Sequence, residues 1–316
     1  MKNCRTLLLT ILAYVAGTAW ANDKTARPPL PKVKHLIDTH IHLYDTTRPD
    51  GVPWPPADDT VLYKPHLPAE YAKVSKSAGV TGVVIVEASD RLQDNDWVLK
   101  QIDGDPLFVA LVGNIDPTCK DFGKHLDRLR KDKRFVGIRA RAKKPIDYTD
   151  AQVLANFRLL ESAGLSLDIL ANGKGIAGVK AVDVLAAKVP RLRIVVNHIL
   201  GYDIDGQPPS QEWLDAVASL AKHSNVYCKV SGLYQRCKQQ PAPQDPEHYR
   251  TILDPLWEHF GSKRLVYGSN WPCTKKSGNY EGFVRVVNGY FSTKGQEACE
   301  RYFWKNAVTA YGLKLK

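Results

Sequence analysis

Eight short runs of branched aliphatic and aromatic residues recur along the chain, and nothing else in the sequence limits the fold so tightly. They are His35–Leu43, Val80–Val86, Leu107–Val112, Phe135–Ala140, Leu165–Leu170, Leu192–Val196, Val226–Val230 and Arg264–Tyr267. Runs this short and apolar read as strands buried on both faces. Between them lie helical segments: Pro68–Ala78, Asp94–Ile102, Phe122–Arg130, Ala151–Ala163, Ile176–Lys188, a helix capped by Ser210, and Pro246–Phe260. Gly164 and Gly261 are the expected stops. The rest of the chain after residue 267 reads as mostly helical. Such alternation predicts parallel strands joined by right-handed crossovers. Eight units in 316 residues predict a closed (β/α)8 barrel, α/β in class and one domain over residues 35–316. An open doubly wound sheet would want a glycine-rich phosphate turn after its first strand. Here that place holds Asp38-Thr39-His40-Ile41-His42. A proline-rich loop, Tyr44–Pro65, follows the first strand, long enough for a lid or rim.

Residues 1–21 stand apart. Lys2 and Arg5 make a positive start, Thr6–Gly17 an apolar run, and Ala19-Trp20-Ala21 a small-x-small cleavage site, the pattern of a secretory signal peptide. The apolar run is shorter than the ~20 residues a membrane-spanning helix needs. The expectation is export, periplasmic or secreted, with no stable membrane span after cleavage. Residues 22–34 read as a polar tether. Cleavage takes two positive charges from a formal net charge of +11. The basic residues that remain are scattered, which argues against nucleic acid and for a small, often anionic, substrate. The mature chain keeps Cys119, Cys228, Cys237, Cys273 and Cys299. An odd count prevents complete internal pairing. Cys228 and Cys237 either bridge in an oxidising compartment or, with the others, serve as small core residues. No pattern speaks to oligomeric state.

In such a barrel the chemistry gathers at the carboxyl ends of the strands. Strand one carries Asp38, His40 and His42, which the two-residue period places on one face. Two imidazoles at i, i+2 suit one metal ion or one substrate oxygen. Strand two ends in Glu87, strand three in Asn114 and Asp116, and strand four in Arg139 and Arg141. Strand five gives Asp168 and Asn172, six Asn197-His198, seven Lys229 and Ser231, eight Ser269-Asn270-Trp271-Pro272. Arginine suits bidentate anion recognition. Glu87 and Asp168 are expected to fix imidazole tautomers. Lys229 should pair with a carboxylate inside the barrel, and Trp271 should wall the pocket. His35, His66, His125, His223, His248 and His259 are expected to be solvated.

Six segments, in this order, resemble the amidohydrolase-related family, in its subgroup of sugar-acid lactonases and 2-pyrone-4,6-dicarboxylate lactonase. They are Asp38-Thr39-His40-Ile41-His42, Val86-Glu87-Ala88, Gly137-Ile138-Arg139, Asn197-His198, Lys229-Val230-Ser231-Gly232-Leu233 and Gly268-Ser269-Asn270-Trp271-Pro272. The resemblance implies a distorted TIM barrel that hydrolyses a lactone or related ester. It implies that His40, His42 and His198 bind and polarise the carbonyl, with no cofactor or with one zinc-like divalent metal ion. Arg139 would hold a substrate carboxylate or hydroxyl, with Arg141, Glu87 and Trp271 also at the substrate.

Position 270 would normally be Asp, the base that activates water. Asn270 departs from that pattern, since an amide orients water but cannot take its proton. His198, Glu87 and Asp168 then become candidate bases. Alternatively, a metal held by His40, His42 and His198 would lower the pKa of bound water to about 7. Strand four ends in arginines rather than the lysine of binuclear relatives, so one ion or none is expected. Two rival expectations stand beside the lactonase: a metal-dependent decarboxylase of the same superfamily, and a degenerate barrel that binds sugar acids without turnover.

Overall fold

The computed structural model describes residues 27–141, 145–171 and 175–315. The expected signal peptide, the first residues of the tether and Asn172 lie outside them. Eight parallel strands run in sequence order around one sheet: β1 (Ile37–Ile41), β2 (Gly82–Val86), β3 (Phe108–Gly113), β4 (Phe135–Arg139), β5 (Ser166–Ile169), β6 (Arg193–Val196), β7 (Val226–Val230) and β8 (Leu265–Tyr267). Each lies inside its expected run or within a residue of it. Ser210 caps its helix by accepting the amide of Trp213, and Gly164 and Gly261 take the positive φ that lets a helix stop.

The strands bury both faces. Val83, Ile85, Leu111, Leu167 and Val196 turn out to the helix layer. Val84, Val86, Val112, Val195 and Val266 turn inward, where Ala307, Ala310 and Tyr311 of the last helix plug the bottom of the ring. The segment expected to be a tether is, from residue 27, laid against the C-terminal helices. The carbonyls of Pro28 and Pro29 accept hydrogen bonds from Arg285 and Asn288. Among the described residues no helix is long and apolar enough to cross a membrane.

The ring closes unevenly. β8 has three residues, and beyond it a single bridge pairs Ile41 with Trp271. Side chains and loop amides complete the seam. His42 donates its amide to the Trp271 carbonyl at 2.8 Å, and Asn270 donates to the His40 carbonyl at 2.8 Å. The Asp38 carboxylate takes the amides of His40 at 3.1 Å and Ser269 at 2.8 Å, one from each side.

This seam corrects one expectation. The β1–β2 register slips between Asp38 and Ile41, and an irregularity of this kind re-aims side chains. Ile37 therefore packs with the barrel interior while Ile41 packs with the helix layer. Asp38 does not share a face with the two histidines. It meets the hydroxyls of Tyr71 and Tyr280 at 2.9 and 3.0 Å. Burial pushes its carboxyl pKa up, against the hydrogen bonds it accepts.

Candidate active site

A cavity of about 530 Å³ opens at the carboxyl ends of the strands. His42, His198, Arg139, Arg141, Gln235 and Asn270 are among its walls. His40 lies directly beneath, fully buried, its ring centroid 4.5 Å from that of His198 and 4.9 Å from that of His42. The fold thus brings together three imidazoles drawn from β1 and the end of β6.

The partners of each ring fix what it offers. Lys229 and Asp168 form an ion pair of 2.8 Å inside the barrel, both side chains fully buried. Lys229 spends its other two N–H groups on the Thr39 carbonyl at 2.9 Å and on His40 Nδ1 at 3.4 Å. An ammonium only donates, so neutral His40 carries its proton on Nε2. His198 Nδ1 lies 2.9 Å from Ser231 Oγ, which already accepts the His198 backbone amide. No other acceptor for the Ser231 hydroxyl is found among the described residues, so it donates to Nδ1, and His198 too carries its proton on Nε2. His42 is the opposite case. Its Nδ1 lies 2.9 Å from the Val86 carbonyl. A carbonyl only accepts, so Nδ1 holds the proton and Nε2 keeps a lone pair. The set is two donors and one acceptor, where the resemblance implied three groups acting alike.

All three rings are held neutral. Burial, then Arg139, lowers the His42 pKa to about 3. Burial, with Lys229 next, carries His40 well below the ordinary value, and burial with Arg139 does the same for His198.

The carboxylates expected to orient these rings are engaged elsewhere. Glu87 accepts Arg139 Nε at 2.5 Å and Arg141 Nη1 at 3.2 Å, and its backbone carbonyl takes Arg139 Nη2 at 2.6 Å. Asp168 is taken by Lys229, Asn197 and Tyr311. One carboxylate between two guanidiniums leaves the arginine side of the cavity net positive. Arg141 is the more open of the two, its side chain 40% exposed.

The metal question can be put to the donors. An ion needs lone pairs, and this hydrogen-bond network supplies one, on His42. Moving the His40 proton to Nδ1 would aim it at the Lys229 ammonium. Among the described residues no group of three His, Cys, Asp or Glu side chains is placed to hold a metal ion. The three rings as hydrogen-bonded here do not fit an ion.

Trp271, expected to wall the pocket, is instead buried at the seam against His66 and Tyr71. The tryptophan that lines the cavity is Trp54, from the long loop, its ring centroid 5.5 Å from that of His42. Asp59 of that loop pairs with Lys276 at 2.8 Å. Gln235, Arg236, Cys273 and Lys276 also line the cavity, none of them among the expected site residues. Three of them follow strand-end residues already named, by four to six positions, which was the available signal. His66, expected to be solvated, is buried beside Trp271 and bound to Glu70 at 2.7 Å. The five cysteines among the described residues are free thiols, so Cys228 and Cys237 do not bridge.

Comparison with known proteins follows the same lines. An amidohydrolase family model matches residues 37–313. An L-fucono-1,5-lactonase of Burkholderia ambifaria is 28% identical over 280 residues, 86% of this chain and 90% of that protein. A crystal structure of an amidohydrolase from Burkholderia multivorans with zinc bound superposes with TM-score 0.78 at 21% identity, covering 89% of this chain and all of that one. A probable 2-pyrone-4,6-dicarboxylic acid hydrolase of Acinetobacter baumannii, solved with citric acid, superposes with TM-score 0.71 at 17% identity over 88% of this chain and 99% of that one.

Proposed function

The chain belongs to the amidohydrolase family, and from that premise we propose that it is a hydrolase opening a lactone, a sugar-acid lactone or similar cyclic ester. What carries the reading is the set of ring contacts at one cavity: His42 Nδ1 on the Val86 carbonyl leaves its Nε2 a lone pair, while Lys229 beside His40 Nδ1 and Ser231 beside His198 Nδ1 assign those two protons to Nε2. Ester hydrolysis needs both kinds of group, a donor for the carbonyl oxygen and an acceptor for the proton of water. The lactonase relative supports the substrate class.

In this reading His198 Nε2–H, with His40 beneath it, polarises the lactone carbonyl. Water held at Asn270 attacks the carbonyl carbon and gives its proton to His42 Nε2. The ring C–O bond then breaks, and the departing oxygen takes that proton back, leaving a hydroxy acid. Arg139 and Arg141 hold the anionic or hydroxylated end, with Glu87 keeping the two guanidiniums in place. In this reading His42 supplies the proton acceptor that Asn270 cannot be, which favours turnover over the degenerate-barrel alternative. We also propose that the enzyme works outside the cytoplasm after loss of residues 1–21. Sequencing the amino terminus of the exported protein tests this.

The central experiment is a pH-stat screen of the mature protein against sugar-acid lactones. Ring opening of at least one is expected, and His42→Gln should abolish it. A panel with no turnover, or an unchanged rate in His42→Gln, refutes the assignment.

A further inference from the structure

Gln235 follows β7 on the short helix Leu233–Arg236, and its side chain reaches the cavity beside Asn270. Asn270 Nδ2 donates to Gln235 Oε1 at 3.4 Å. The Gln235 Nε2 atom is buried and meets no partner among the described residues. Two amides joined by one N–H···O bond always leave one oxygen acceptor and at least one N–H donor unspent, whichever way each amide is turned. That is the complement of a single O–H group, which gives one hydrogen and accepts another. It is a poor complement to a carboxylate, which only accepts and would face the spare amide oxygen. The positive charge of the cavity lies instead with Arg139 and Arg141, around Glu87.

We propose that Gln235 and Asn270 together form a subsite for one hydroxyl oxygen, and that Gln235 is a specificity or positioning residue of the enzyme. The oxygen belongs either to the attacking water or to a ring hydroxyl of the substrate, and both present the same chemistry. The inference rests on the lactonase reading.

The test compares the parent with Gln235→Leu, which removes both polar atoms, and Gln235→Glu, which keeps the shape and loses the N–H. The probes are glucono-1,5-lactone and unsubstituted δ-valerolactone, with circular dichroism and thermal midpoint confirming the fold of each variant. If the subsite holds a substrate hydroxyl, both variants raise KM for glucono-lactone by about tenfold or more, the scale of one lost hydrogen bond in a polar pocket, and leave δ-valerolactone unchanged. If it holds water, kcat falls by a similar factor for both lactones at constant KM. The proposal is overturned if either folded variant stays within about twofold of the parent on both probes. Should the parent open neither lactone, the functional reading is decided by the wider lactone panel and the subsite by binding. Calorimetric binding of gluconate to the parent and to Gln235→Leu then decides the subsite: a weaker Kd in the variant supports it, and equal or absent binding ends it.

Discussion

Acid should loosen this protein through its three buried histidines, and His42 allows the size of the effect to be worked. The folded state lowers the His42 pKa to about 3, burial being the main cause. In the unfolded chain an imidazole titrates near 6.5. The unfolded state therefore binds the proton first as pH falls. The stabilisation is whole above 6.5 and drains away as pH drops toward 3. Between pH 7 and pH 5 the loss from His42 alone is about 2 kcal/mol, at roughly 1.4 kcal/mol per pH unit below 6.5. His40 and His198 are shifted the same way and add to the loss. The assay is urea unfolding at the two pH values, for the parent and for His42→Gln. The parent should lose about 2 kcal/mol more than the variant over that interval. Equal losses would refute the claim that His42 is buried and neutral. The acid limb of kcat/KM should likewise lack an inflection near 6.5. A drop there would mean that the working imidazole is solvated.

Lys229→Met should cost ~3–5 kcal/mol by stranding Asp168, and Lys229→Met with Asp168→Leu should recover most of it, both read from urea midpoints. A single variant as stable as the parent would show that the pair is not compensating buried charge. A Cβ at Gly137 would stand 2.5 Å from the Ser166 carbonyl oxygen, so Gly137→Ala should destabilise by at least ~1–3 kcal/mol in the same assay. Arg139→Lys loses the fork that binds Glu87 at two points. It should raise KM for an anionic lactone by about tenfold with a smaller change in kcat.

The eight strands were legible because most are dominated by apolar residues on both faces, as strands wrapped by helices outside and side chains inside must be, with their polar residues few and placed singly, as Asp168 and Lys229 are. Lys229 was legible as an internal ion pair because it sits in the middle of such a run. The faces of β1 were not, because the two-residue rule assumes an unbroken ladder and the register slips after Asp38. His66 was misjudged from its loop position. It belongs to a loop that folds back over the barrel mouth, where Tyr44 and His66 exchange backbone hydrogen bonds. The division of labour among His40, His42 and His198 could not be read at all. A tautomer is set by a contact from another strand: the Val86 carbonyl comes from β2 beside β1, Ser231 follows β7 beside β6, and Lys229 reaches His40 from β7, at sequence separations of 44, 33 and 189 residues.

The hoop of strands is buckled by the same loop that greets the substrate. The amides of His42 and Asn270 fasten the two ends of the barrel, and their side chains face the cavity. Whatever settles there presses on the clasp, so occupancy of the pocket should slow hydrogen exchange at those two amides more than elsewhere in β1. Holding a ligand and keeping the wall closed are, at this one joint, a single property.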